Sequence, residues 1–366
     1  MSFRNHFNQL KAKAEELNRK HNLIPIGQNN SQGSAQQAQQ NYYPGQQQQP
    51  YQPQWQPQGQ SQGQPQPNYY NRPAAAPPIP MHSHPSYSGA PPAQQQQSPQ
   101  VYWRMNTGAP VSQDFEQKQG HGEPYGWGNN ELENYTSHPE NSFYTPDGKL
   151  ILRAIARPGH PDPESRFTSA RLVTRQTLGR PRGCLTAWLT LPSAEGIWPA
   201  FWMLPREPFT WPHEGEVDIA ESWNGEVDNH SCLHWGFFTP EDAQKHLVRT
   251  TPVPDKAHRA VRFDFVWNCE GVPTRQDGKS AGGGRLMWYI DGRPVMKNLM
   301  PAGTRPIQDW CVLLNIAMGG NVCQGKQPRD GQYDMLVHGL QMSDELEGGS
   351  ARFDGEWHSC PDGAVM

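Results

Sequence analysis

The chain has 366 residues, with 31 Lys and Arg against 35 Asp and Glu, and the charge is unevenly distributed. Up to Gln100 there are six basic and two acidic residues, which leaves 25 basic and 33 acidic residues beyond it. This negative remainder argues against nucleic acid as a partner of the folded part. We also find neither an apolar stretch that could span a bilayer nor a classical signal peptide, so we expect either a cytoplasmic location or unconventional secretion.

Residues 1–22 are predicted to form a short amphipathic helix. Apolar side chains recur there every three or four residues, between Lys, Arg and Glu, at Phe3, Phe7, Leu10, Ala14 and Leu17. Three interpretations stay open: the apolar stripe docks on a partner helix, lies on a membrane surface, or covers the folded domain.

Residues 23–100 form an arm dominated by Gln, Pro, Gly, Ser, Asn and Tyr. From Ile26 onward the arm contains no Leu, Val or Phe, so it cannot bury enough apolar surface to offset the entropy of ordering its backbone. We therefore predict that the arm is disordered. Its composition is prion-like, and it is expected to act either as an inert tether or as a contact for a protein partner or for self-assembly.

Residues 101–366 are predicted to form one large all-β domain. Short apolar or alternating runs follow one another between Gly, Pro, Asn and Asp: Lys149–Ala156, Cys184–Leu191, Val261–Trp267, Leu286–Ile290 and Cys311–Ala317. Many short strands without a long helical period favour a β-sandwich over βαβ units, and a jelly roll fits the domain's size.

The stretch from Gly215 to Glu221 is the most informative for chemistry. Its acids alternate with apolar residues at Glu216 and Asp218, so in a strand these acids share one face. Strict alternation would turn Glu221 toward the core, at a cost of several kcal/mol for a buried charge. Either the strand ends at Ala220, or one bulged residue returns Glu221 to the acidic face.

With a bulge, the acids have a spacing that suits catalysis. Glu216 and Glu221 would lie four strand steps apart, roughly 13 Å between Cα atoms, and inward-leaning side chains would approach the 5 to 5.5 Å that retaining glycosidases use. Three neighbouring carboxylates would share a proton, so we assign Glu216 as nucleophile, Glu221 as acid/base and Asp218 as their helper. A solvated acidic edge strand and a calcium site are the alternatives.

Aromatic residues around the acids favour a carbohydrate site. Five tryptophans lie within 20 residues of them: Trp198, Trp202, Trp211, Trp223 and Trp235. Indole rings pack against the C–H faces of sugars, and ligand pockets combine such walls with few polar groups. His234, on the next predicted strand, would contact substrate or Asp218, or serve as a structural histidine.

At this point the sequence resembles glycoside hydrolase family 16, in its laminarinase-like branch. Six segments occur in the family's order: Trp127–Leu132 with Tyr135-Thr136, Phe167–Leu172, Gly196–Leu204, Gly215–Glu221, Trp288–Gly292 and Leu314–Gly320. The resemblance implies a jelly roll of the concanavalin A-like lectin/glucanase type. It also implies a retaining endo-glycosidase that hydrolyses β-1,3-glucans or mixed β-1,3/1,4-glucans.

Site residues follow from the resemblance by position. It implies Glu216, Asp218 and Glu221 as catalytic residues. It implies five substrate-binding residues: Trp202, Trp211, His234, Asn130 and Arg171. Trp198 is added to them as a sixth because it is one of the tryptophans close to the acids.

The resemblance also leaves alternatives open. No cofactor is expected. A structural calcium ion remains an alternative, although Val337–Leu340 stands where many relatives carry an aspartate for it. A transglycosylase of the same mechanism and a non-catalytic glucan-binding protein are the alternative functions.

Overall fold

The computed structural model describes residues 98–122 and 126–366. The helix expected over residues 1–22 and the arm expected over 23–100, apart from its last three residues, lie outside this part. The boundary of the folded domain at residue 101 stays a prediction.

The described residues form β-strands joined by turns and short helices. The strands are β1 Val101–Arg104, β2 Phe115–Lys118, β3 Asn134–Tyr135, β4 Ser142–Tyr144, β5 Leu150–Ala156, β6 Phe167–Ser169, β7 Arg171–Thr177, β8 Arg182–Thr190, β9 Ile197–Pro205, β10 Glu216–Glu221, β11 Asp228–His234, β12 His246–Pro252, β13 Val261–Asn268, β14 Arg285–Ile290, β15 Arg293–Leu299, β16 Trp310–Met318, β17 Gly331–Ser343 and β18 Ala364–Val365. The helices are α1 Val111–Asp114 and α2 Gly349–Trp357. Short 3-10 turns occupy Gly126–Gly128, Pro163–Ser165, Pro240–Lys245 and Ile307–Asp309.

Two sheets make up the fold. Sheet A has the order β15-β14-β13-β8-β17-β5-β6-β3, with β1 paired to β17 and β4 to β5. Sheet B has the order β18-β12-β11-β10-β9-β16-β7-β2. Among the strand pairs within residues 98–122 and 126–366, β3 with β6 is the parallel one and the others are antiparallel. The predicted all-β sandwich is confirmed.

Side chains along the central strands of sheet B point alternately into the apolar core and to the outward face of the sheet. In β9, Ile197, Phe201 and Met203 are buried in the main apolar cluster. In β16 the same cluster contains Val312, Leu314, Ile316 and Met318. Each such side chain contributes about 1.5 to 3 kcal/mol by burial, which fixes the register of both strands. The residues between them therefore face away from the core.

Two further features of the described part bear on the sequence. All six cysteines are buried as free thiols. Neither helix within residues 98–122 and 126–366 has the length and apolarity needed to cross a lipid bilayer.

Candidate active site

Strand β10 carries the acids and contains the bulge. Asp218 pairs with Trp202 on β9, but the next pair joins Ala220 to Phe201, so Ile219 is the extra residue. Glu221 then pairs with Ala200. Because Ala200 and Trp202 are two residues apart, they share one face of the sheet, and so do their partners Glu221 and Asp218.

The bulge also completes the core beneath the acids. Val217, Ile219 and Ala220 are all buried in the main apolar cluster. Two consecutive residues can point into the core only where the alternation is interrupted, and the interruption leaves Glu221 free to face outward. The bulged alternative for Glu216–Glu221 is therefore confirmed, and the strand runs through to Glu221.

All three acids open into one cleft of about 300 Å³ on the outward face of sheet B. Its aromatic and aliphatic lining comprises Trp127, Trp198, Ala200, Trp202, Leu204, Phe209 and Trp211. Its polar lining comprises Asn129, Glu131, Arg171, Glu207, Glu216, Asp218, Glu221 and Asn315. Aromatic walls around convergent polar groups are typical of a small-molecule or saccharide site.

Each acid has its own hydrogen-bond partner. The Trp211 indole N–H donates to Glu216 Oε2, and the Trp198 indole N–H donates to Glu221 Oε1 at 2.7 Å. His234 Nε2 lies 3.4 Å from Asp218 Oδ2. Each contact holds one carboxyl group in a fixed orientation on the cleft floor.

The electrostatics of the cleft favour retained protons. Burial, followed by the charge of Asp218, raises the pKa of Glu216 to about 7. Burial, followed by the charges of Asp218 and Glu216, raises the pKa of Glu221 well above its ordinary value. Neighbouring carboxylates cannot all ionise easily, and Glu221 is the one that keeps its proton.

The part of the chain that contains this cleft is similar to known proteins. A family model described as "XgeA-like, catalytic GH16 domain" matches residues 161–260. A glucan endo-1,3-beta-glucosidase of Cryptopygus antarcticus is 39% identical over 217 residues, which cover 55% of this chain and 74% of that protein. The chain belongs to glycoside hydrolase family 16.

Two further comparisons place the chain within this family. It spans only 30% of the length of glucan endo-1,3-beta-glucosidase A1 from Niallia circulans, which it matches at 28% identity over 56% of its own length. The laminarinase structure from Rhodothermus marinus superimposes with a TM-score of 0.54 at 25% identity, covering 68% of this chain and 98% of that one. The predicted jelly roll and the laminarinase-like family resemblance are thereby confirmed.

Within this family 16 cleft, the predicted tryptophans divide into two groups. Trp198, Trp202 and Trp211 line the cleft. Trp223 is not among the lining residues and stacks on His230 with ring centroids 4.2 Å apart, while Trp235 packs against the core cluster. Trp223 and Trp235 are therefore close to the acids in sequence but do not line the cleft.

Arg171 and Asn130 have different surroundings. The Arg171 guanidinium lies between two indoles, 4.7 Å from the ring centroid of Trp127 and 4.8 Å from that of Trp202. Its Nε is buried without a hydrogen-bond partner among the described residues. Asn130 is not among the lining residues, and its side-chain amide donates to Asn321 at 3.2 Å. Asn130 as a substrate ligand stays a prediction.

Sequence reasoning missed Asn315 and Glu131 as lining residues. Asn315 Oδ1 accepts a 2.7 Å hydrogen bond from the Trp202 indole, and its amide donates to the Tyr135 hydroxyl at 3.1 Å. This contact fixes the Trp202 ring from the neighbouring strand β16. The sequence did carry a signal for Asn315, since it is a polar residue inside the otherwise apolar, buried run of β16.

A second histidine extends the contact between His234 and Asp218. His246 Nε2 lies 3.2 Å from the Phe237 carbonyl, which can only accept, so Nε2 carries a proton. Burial, followed by the charge of His234, lowers the pKa of His246 to about 3, so its Nδ1 is an acceptor. His234 Nδ1, 3.1 Å away, must then be the donor.

These contacts favour a protonated His234. Burial alone would lower its pKa, but the hydrogen bond and the charge of Asp218 outweigh burial and raise the pKa. His234 can then donate from both ring nitrogens, to His246 and to Asp218. An imidazolium at this position makes the contact with Asp218 a charge-assisted hydrogen bond.

Asp218, Cys232 and His234 also bring three potential metal-ligating atoms within 4.8 Å of one another. Burial, followed by the charge of Asp218, raises the pKa of the Cys232 thiol well above its ordinary value. A protonated thiol is a poor ligand. Asp218 and His234 of this group belong to the hydrogen-bond network described above, and the expectation that no cofactor is needed stays a prediction.

Proposed function

We propose that the protein is a retaining endo-glycosidase that hydrolyses β-1,3-glucans, with mixed β-1,3/1,4-glucans as the alternative substrates. The observation that carries the assignment is the bulge at Ile219, which places Glu216 and Glu221 in one cleft. Both relatives named as glucan endo-1,3-beta-glucosidases support a β-1,3-linked substrate. The carbohydrate-compatible walls of Trp198, Trp202 and Trp211 support it independently.

The first chemical step joins the sugar to the protein. Glu221, protonated at neutral pH, gives its proton to the glycosidic oxygen, while the Glu216 carboxylate attacks the anomeric carbon. The bond to the leaving sugar breaks, and a covalent glycosyl ester forms on Glu216. Inversion at the anomeric carbon accompanies this step.

The second step releases the product. Ionised Glu221 removes a proton from a water molecule, whose oxygen attacks the anomeric carbon and displaces Glu216. A second inversion gives net retention, and Glu221 regains its proton. The charge of Asp218, which His234 contacts, raises the pKa of both glutamates.

The cleft walls provide positions for sugar rings. Trp198 and Trp211 lie at the two acids they contact, and Trp202 lies opposite Asp218 on β9. The unpartnered Nε of Arg171 offers a buried donor that a sugar hydroxyl would satisfy. We assign these four residues to substrate binding.

Activity on defined glucans tests the proposal. Purified protein should release reducing sugar from laminarin, and Glu216→Gln should reduce kcat by several orders of magnitude, because the covalent step disappears. Glu347→Gln is the matched control, since Glu347 pairs with Arg262 and is not among the cleft-lining residues. Folded wild-type protein that is inactive on laminarin and lichenan would refute the proposal.

Product analysis separates the alternatives. An added oligosaccharide acceptor should leave the product mainly hydrolysed; elongated products would identify a transglycosylase. Laminarin turnover that is equal in wild type and Glu216→Gln would exclude catalysis at this site and favour a glucan-binding protein.

The N-terminal arm is a separate proposal. We propose that residues 1–100, the arm together with the predicted helix before it, contact a protein partner or a second copy of the chain, a role suggested by the composition of the arm. Deletion of residues 1–100 should then change the sedimentation behaviour or the cellular distribution without changing laminarin turnover. Unchanged assembly and distribution would identify the arm as an inert tether.

A further inference from the structure

Glu214 lies two residues before the nucleophile but is not among the cleft-lining residues. It is only 6% exposed, and its carboxylate meets donors from three separate segments. Thr210 N donates to Oε1 at 3.1 Å, Arg305 Nε donates to Oε2 at 2.9 Å, and Lys279 Nζ forms an ion pair with the same oxygen. A buried carboxylate with this many donors is a strong local anchor.

Lys279 reaches Glu214 from the hairpin loop between β13 and β14. This loop is bound to the segment just before Arg305: Ser280 N donates to Thr304 O at 2.8 Å and Gly303 N donates to Ser280 O at 2.9 Å. The loop itself is closed by Arg275 N, which donates to Lys279 O at 2.7 Å. Both cations are therefore held by backbone contacts next to each other.

The same anchor closes the loop that contains Trp211. Glu214 N donates to Thr210 O at 2.9 Å, and Arg305 Nη2 donates to Pro208 O at 2.8 Å. Arg305 N also donates to Glu214 O at 2.9 Å. The loop from Pro208 to Glu214 is thus held at both ends by contacts to one arginine.

Trp211 depends on this loop for its position. Its side chain is 39% exposed, and its ring contact is a tilted one to Phe238, with centroids 5.6 Å apart. An exposed indole has little packing to orient it, whereas its hydrogen bond to Glu216 requires a defined direction. The restraint must come largely from the backbone of its loop.

We propose that Lys279 and Arg305 are positioning residues that act through Glu214 to hold Trp211 in its hydrogen bond with Glu216. The hairpin loop between β13 and β14 thereby supports the nucleophile from outside the cleft. This inference rests on the proposed function for its effect on catalysis. The hold on the loop itself is independent of that function.

The Trp211 hydrogen bond sets the expected sign of the catalytic effect. An N–H donor favours the ionised carboxylate, so its loss raises the pKa of Glu216. The nucleophile must be ionised, and the acid limb of kcat/KM should therefore move to higher pH when Lys279 is neutralised. We expect a shift of about half to one pH unit, which corresponds to a loss of up to about tenfold below the midpoint.

The test compares Lys279→Met with Lys279→Arg and with Lys297→Met. Lys297, on β15 of sheet A, is a matched control. It too is partly buried, and its Nζ donates a hydrogen bond to the Trp357 carbonyl at 2.9 Å. The readouts are the pH profile of kcat/KM on laminarin and the hydrogen–deuterium exchange of residues 206–215. Lys279→Met should show both the shifted acid limb and faster exchange. Lys279→Arg, which keeps the positive charge, should resemble wild type in both readouts, and Lys297→Met should show neither change.

The two readouts separate this inference from the proposed function. Unchanged exchange and an unmoved acid limb in Lys279→Met would overturn the inference while leaving the glucanase assignment intact. If wild type proved inactive on glucans, the exchange would still decide whether Lys279 holds the loop. Glu214→Gln provides the second variant, because it keeps the shape and the Thr210 contact but loses the charge. Exchange of residues 206–215 as slow as in wild type, in both Lys279→Met and Glu214→Gln, would contradict the role of Glu214 as an anchor.

Discussion

Glu214 and Glu216 are two residues apart, are both largely withdrawn from water, and have opposite environments. Glu214 is paired with Lys279 and Arg305, and although burial opposes it, these hydrogen bonds lower its pKa. Glu216 lies among other acids, and burial raises its pKa to about 7. The same side chain is thus an ionised anchor in one setting and a titratable reactive group in the other.

This difference separates a structural role for Glu214 from a chemical role for Glu216. A buried carboxylate surrounded by donors has a compensated charge, so removing it destabilises the fold by leaving its cations without a partner. A carboxylate surrounded by carboxylates is retained at a cost to stability, and that cost is the expected signature of a catalytic group. Removing each charge in turn tests this difference between the two carboxylates.

After loss of the nucleophile, the largest effect should come from loss of the acid/base. Glu221→Gln removes the proton that the leaving sugar needs, so turnover of laminarin should fall by about 10² to 10⁴. An aryl glucan with an acidic phenol as leaving group needs less protonation and should retain rapid glycosyl-ester formation. Burst kinetics with that substrate would check this. Equal losses on both substrates would contradict the assignment of Glu221.

Charge removal at the two other glutamates should change stability in opposite directions. Glu214→Gln leaves Lys279 and Arg305 without their carboxylate and should lower the free energy of unfolding by about 1 to 3 kcal/mol. Glu216→Gln should raise it at pH 8 by about 1 to 2 kcal/mol, while abolishing turnover. Urea unfolding at pH 4 and pH 8 measures both.

The pH dependence follows from the sign of the Glu216 shift. Its pKa is raised to about 7 in the folded protein, against about 4.3 in an unfolded chain. Folding therefore favours the protonated form, and this contribution to stability is present below pH 4 and lost as the pH rises through 7. The advantage of Glu216→Gln should vanish at pH 4. A variant less stable than wild type at pH 8 would show that Glu216 is compensated after all.

Features of the fold and of the site could be predicted from the sequence where neighbouring residues determine them. The bulge followed from the wrong parity of Glu221 in a six-residue strand, and it is confirmed at Ile219. The β-sandwich followed from short apolar or alternating runs between turn residues, and the family from the resemblance of six ordered segments. Local alternation carries such information because the period of two decides which face is buried.

Contacts between distant segments were not predictable in the same way. Asn315 reaches Trp202 only because β16 pairs with β9 in one register. Lys279 and Arg305 are 65 and 91 residues from Glu214 in the sequence, and nothing local marks them as its partners. The hairpin loop between β13 and β14 had no predicted role because its contribution is a single cation placed by backbone contacts.

The smallest expected effect sharpens the contrast between the two catalytic acids. Trp198 donates to Glu221 as Trp211 does to Glu216, and in each case the N–H favours the ionised carboxylate. Trp198→Phe should therefore raise the pKa of Glu221 and move the alkaline limb of kcat/KM upward by about half a pH unit, since Glu221 works protonated. Trp211→Phe should move the acid limb upward instead, since Glu216 works ionised. Profiles in which both variants shifted the same limb would show that one proton, and not two separately held groups, governs the rate.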